Sequence, residues 1–95
     1  MPKLKPSEKE ERDRITRSVI RGNQERYGVD DEAVAKALGL HILTYRKKIN
    51  SEMERLRLDE LQALARLLKF TPVQAASLVL GRDLTAREFR DFILM

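Results

Sequence analysis

The stretch Asp31 to Ile49, DEAVAKALGLHILTYRKKI, constrains the fold more tightly than any other part of the chain. It holds two short runs of helically spaced apolar residues on either side of a glycine. Two short helices joined this tightly pack together only under three conditions. A small residue must face the neighbouring helix, the turn must tolerate left-handed backbone, and apolar side chains must anchor both helices to one core. Ala35 supplies the small residue and Gly39 the missing Cβ. Val34, Leu38 and Leu40 anchor the first run, and Tyr45 and Ile49, spaced i, i+4, anchor the second.

Helix signals continue on both sides. Ser7 precedes Glu10 by three residues, the spacing of a capping box, and predicts a first helix over 8–26 that Gly28 closes. Its apolar residues are sparse at the front, with Ile15 alone before Val19 and Ile20, so the front half is expected to be solvated or frayed. Asp30 or Asp31 caps a second helix over 32–38, and a third follows over 42–51. SEMERLR reads as a polar connection. Asp59 is expected to cap a helix over 60–69, whose Leu61, Leu64, Ala65, Leu67 and Leu68 form the strongest amphipathic stripe. Thr71-Pro72 opens a helix that Gly81 ends, and Thr85 with Glu88 opens the last. No segment alternates as a strand would. The expectation is an all-α, compact five- to six-helix domain over 7–95, preceded by a basic arm over 1–6 that contains Lys3 and Lys5.

Composition removes several functions. With 95 residues the chain has room for one small domain. It has no cysteine and one histidine, His41, so neither a disulfide framework nor a multi-residue Cys/His metal site is expected. The longest apolar runs span about four residues, far short of the ~18 of a membrane span. The charged start, MPKLKPSEKEERDR, is unlike a secretory signal, so a cytosolic protein is expected. No nucleophile–base pair, phosphate-cradling glycine loop or dinucleotide fingerprint is visible. The chain reads as a non-enzyme without cofactor, metal, membrane partner or evident small-molecule ligand.

A tight pair of this kind is the helix-turn-helix arrangement, whose second helix is presented outward to enter a DNA major groove. From about residue 14 to 82 the chain resembles the Cro/lambda-repressor-like (XRE-type) helix-turn-helix domains of phage and prophage regulators. AVAKALGL matches the second helix and turn, LTYRKKI the recognition helix, and LDELQALARLLKFTP the fourth helix and the residues just after it. The resemblance implies a lambda-repressor-like fold and a sequence-specific transcriptional regulator acting on double-stranded DNA in a bacterial or phage-infected cell. It implies base contacts at His41, Ile42, Leu43, Thr44, Arg46, Lys47 and Asn50. Two departures stand out. Lys48 occupies a usual core position, with Ile49 one place later, and Ile42 and Leu43 stand where polar readers are common.

Charge gathers accordingly. Residues 41–57 carry five Lys/Arg against two Glu, residues 1–21 carry seven against four, and residues 22–40 are net negative. Arg46 and Lys47 suit guanine or phosphate, Asn50 suits adenine, and Ile42 or Leu43 suits a thymine methyl. Weaker phosphate contacts are expected from Lys3, Lys5, Arg17, Arg21, Lys48 and Arg55. About four neutralised phosphates would give a salt slope of roughly −3 to −4. Two matters stay open. The stripe Phe89, Phe92, Ile93 of a helix over 85–94 either closes the core or forms a homodimer seam through 85–95. The apolar Ile42 and Leu43 also suit a second function: a protein-binding module on the same scaffold, such as an antirepressor or an inhibitor of a host nucleic-acid enzyme.

Overall fold

Capping chemistry sets the helix boundaries, because the first N–H groups and last carbonyls of each helix need partners from outside it. The computed structural model describes residues 7–82 and 84–93, with no side-chain description at 86, 89, 92 and 93. The helices are α1 (Glu8–Tyr27), α2 (Asp31–Leu38), α3 (Ile42–Asn50), α4 (Leu58–Leu67), α5 (Pro72–Leu80) and α6 (Ala86–Ile93), with a 3₁₀ turn at Met53–Arg55. The described residues contain no strand, and the chain is all-α. None of these helices is long and apolar enough to cross a membrane. The expected basic arm over 1–6, with Lys3 and Lys5, lies outside the described residues, as do the side chains of the Phe89, Phe92, Ile93 stripe.

Ser7 accepts the Glu10 N–H at 3.1 Å, Asp30 the Ala33 N–H at 2.8 Å, Thr71 the Gln74 N–H at 3.1 Å and Thr85 the Glu88 N–H at 3.1 Å. Two expectations need correction. Asp59 does not cap α4. The helix begins two residues earlier than expected, at Leu58, and the Glu60 carboxylate reaches back to accept the Arg57 N–H at 2.9 Å. The SEMERLR connection is not simply polar, since it folds into the 3₁₀ turn and buries Met53.

One apolar cluster holds α1 to α4 together. Ile20 of α1, Val34 and Ala35 of α2, Tyr45 and Ile49 of α3, Met53, and Leu64 and Leu68 of α4 and its end are all buried in it. α2 packs on both α3 and α4, and α1 packs on α5. With so few apolar residues, α1 is also pinned by amides. Asn23 Nδ2 donates to the Leu68 carbonyl and to Gln74 Oε1, both at 3.0 Å, and Gln74 Nε2 donates back to Asn23 Oδ1 at 3.0 Å. Buried amides remain stable only when paired in this way, and no buried side-chain polar atom among the described residues lacks a partner.

Candidate nucleic-acid interface

The turn between α2 and α3 is three residues long. Gly39 adopts φ +70°, and its N–H and that of Leu40 close onto the Lys36 and Ala35 carbonyls. A side chain at residue 39 would strain this left-handed backbone. His41 then caps α3, its Nδ1 accepting the Leu43 N–H at 3.1 Å. That bond needs Nδ1 unprotonated, so at this position the imidazole is a capping acceptor.

Burial sets the rotation of α3 about its axis. Tyr45 and Ile49 are fully buried, and Ile42 and Lys48 are half-buried. At 100° per residue these four share one arc, which leaves Leu43, Arg46, Lys47 and Asn50 on the opposite one. Leu43 is 64% exposed, and Thr44, Arg46, Lys47 and Asn50 are exposed beside it. Ile49 is thus the core residue that Lys48 displaces by one position. Of the seven expected base-contacting residues, Leu43, Thr44, Arg46, Lys47 and Asn50 come together on the outward surface. Ile42 instead packs partly against the core, and the His41 ring nitrogen is engaged in the cap.

The expected phosphate contacts divide more sharply. Arg17 points inward, with Nε donating to the Ile49 carbonyl at 2.8 Å and Nη2 to the Asn50 carbonyl at 3.2 Å. A guanidinium there satisfies two terminal carbonyls and opposes the negative end of the α3 dipole. Arg21 bonds to Asp31 and to Gln24 Oε1 and lies 5.8 Å from the Tyr45 ring centroid. Lys48 donates to both Glu60 oxygens, at 2.9 and 3.1 Å. These three cations hold α3 in place. Arg55 is exposed, 3.7 Å from the Glu52 carboxylate. Lys47 is likewise exposed, 3.7 Å from Glu52.

Sequence reasoning missed the carboxylate at the centre of this surface. Asp31 Oδ2 accepts from Arg46 Nε at 2.9 Å, and Oδ1 accepts from Gln24 Nε2 at 2.9 Å and from Arg21. Burial disfavours the Asp31 charge, but the bonds from Arg46, Gln24 and Arg21 outweigh it and hold its pKa below the ordinary value. Gln24 Oε1 in turn accepts the Tyr45 hydroxyl at 2.7 Å. Burial pushes Tyr45 up to about 12; Arg21 opposes that shift and Asp31 adds to it. No local pattern joins Asp31 to Arg46, fifteen positions apart.

No family model, curated protein or solved structure matches this chain.

Proposed function

We propose that this protein is a sequence-specific DNA-binding transcriptional regulator of the phage-repressor type, docking α3 in the major groove. The observation that carries this reading is the outward arc of α3. A tight glycine turn and two buried anchors hold the helix, while Arg46, Lys47 and Asn50 occupy its exposed side. These are the side-chain types that pair with guanine, phosphate and adenine. Net positive charge in residues 41–57 supports the same reading.

With Arg17, Arg21 and Lys48 bonded internally, the count of neutralised phosphates falls to about three, for a salt slope of about −2.7. Raising salt from about 50 to about 200 mM should then weaken binding to a duplex by roughly 40-fold. A fluorescence titration reads this directly, and selection of bound duplexes from a randomised pool reads the specificity. Combined Arg46→Ala and Lys47→Ala substitution should abolish duplex binding with only a small loss of thermal stability, because both side chains are exposed and Arg46 gives up one bond to Asp31. Undiminished binding by that double variant would rule out this docking mode.

One observation favours a second reading, a protein-binding module on the same scaffold. Leu43 sits exposed in the middle of the arc, and Asp30, Asp31 and Glu32 place acidic charge at the start of the neighbouring α2. An apolar centre with mixed charge around it suits a protein surface. Absence of duplex binding at low salt would favour this module.

A further inference from the structure

The Asp31–Arg46 pair is an unexpected commitment for a side chain placed to read DNA. Arg46 is about half exposed, whereas the Asp31 side chain is 19% exposed and held from several directions. Asp31 Oδ1 takes bonds from Arg21 and Gln24, and Gln24 is fixed by the buried Tyr45 hydroxyl and by its own bond to the Val29 carbonyl at 3.2 Å. The chain of bonds runs from the core to a rigid carboxylate, and from there to one nitrogen of Arg46.

A guanidinium is planar and presents five donors in a fixed fork. Arg46 uses Nε–H for Asp31, which fixes the plane and leaves the Nη1/Nη2 fork as the bidentate edge. A long side chain otherwise has extensive rotamer freedom to lose when it binds. The first-turn position of Asp31 in α2 and its bonds from Arg21 and Gln24 account for the carboxylate itself, but not for its second oxygen holding a side chain of the reading helix. That anion also repels phosphate. Its benefit would lie in discrimination.

We propose that Asp31 is a positioning residue that fixes the Arg46 guanidinium so that its Nη1/Nη2 edge meets a guanine. The proposal rests on the reading of α3 as a DNA-recognition helix. It requires two effects of opposite sign when the charge is removed: non-specific attraction rises and discrimination falls. A merely structural role would lower discrimination in the R46A background as well, so the coupling to Arg46 is the deciding readout.

Asp31→Asn tests it, since it preserves shape and leaves Asp30 as the cap of α2. The wild type, D31N, R46A and the double variant are titrated at fixed salt against two duplexes: one selected by the wild type from a randomised pool, and a scrambled one. D31N should bind the scrambled duplex several-fold more tightly, and its selected-to-scrambled ratio should fall about tenfold. In the R46A background, adding D31N should leave the ratio within about twofold. In the free protein, the Arg46 Nε–H signal should exchange slowly in the wild type and rapidly in D31N. A discriminating wild type with an unchanged ratio in D31N overturns the positioning role and leaves the DNA reading standing. A wild type that discriminates between no duplexes removes the DNA reading and this proposal with it. Fast Nε–H exchange in the free wild type overturns the proposal directly, whatever the fold of the variants.

Discussion

Gly39 and Gly81 both end helices in left-handed backbone, each with φ +70°, yet their surroundings differ. A Cβ at residue 39 would meet nothing within 4 Å, so Gly39→Ala should cost only the backbone strain, about 1 kcal/mol. A Cβ at residue 81 would lie 2.6 Å from Arg12 Cγ. Gly81→Ala should therefore cost more than Gly39→Ala in urea denaturation, and an Arg12→Ala background should close most of the gap. Equal costs in the wild-type background would mean that the Arg12 side chain moves aside freely. At this scale the sequence is legible for backbone reasons, since a glycine after an amphipathic run already marks the turn. The difference between the two positions is not legible, because it depends on a helix almost seventy residues away.

The α3–α4 contact turns on Lys48 and Glu60. Their side chains are 15% and 2% exposed. Glu60 also holds the α4 start through the Arg57 N–H. Removing the cation leaves the buried carboxylate with the Arg57 N–H and the Arg57 guanidinium 3.8 Å away, so Lys48→Met should cost about 2 kcal/mol, less than the ~3–5 kcal/mol of a fully uncompensated buried charge. Adding Glu60→Gln removes the stranded charge while keeping an acceptor for Arg57, and should recover much of that loss in chemical denaturation. A double variant as unstable as the single one would contradict this account. On the proposed DNA reading, a folded Lys48→Met protein should keep its duplex affinity because Lys48 faces inward, whereas Lys47→Ala should bind more weakly.

For the molecule as a whole, the Asp31–Gln24–Tyr45 network predicts a stability window with two different edges. Asp31 has a folded pKa below its usual 3.8. Its contribution is therefore fully present above about pH 4 and is lost as the pH falls through the lower folded value. Tyr45 has a folded pKa raised from 10.0 to about 12. Its contribution is present below about pH 10 and is lost as the pH rises towards 12. Thermal unfolding midpoints across pH should show both edges, with Asp31→Asn flattening the acid one and Tyr45→Phe the alkaline one. An alkaline edge unchanged by Tyr45→Phe would place its origin elsewhere.

The helices, most of their caps and the apolar anchors of α3 could be read from the chain alone, because capping and amphipathic spacing act over a few residues. Periodicity marks Tyr45 and Ile49, and the turn at Gly39 is equally local. The exception at α4 is also local: a carboxylate at the third helical position outcompeted the aspartate before it. What needed the tertiary structure was the partner of each of the four cations around α3. Arg17, Arg21, Arg46 and Lys48 are alike as basic residues in the sequence, and only folding brings α1, α2 and α4 against α3. Partner choice depends on distances between segments distant along the chain, and on which carboxylates and carbonyls lose water there. That non-local competition turned three expected phosphate contacts into struts for α3 and set Arg46 against Asp31.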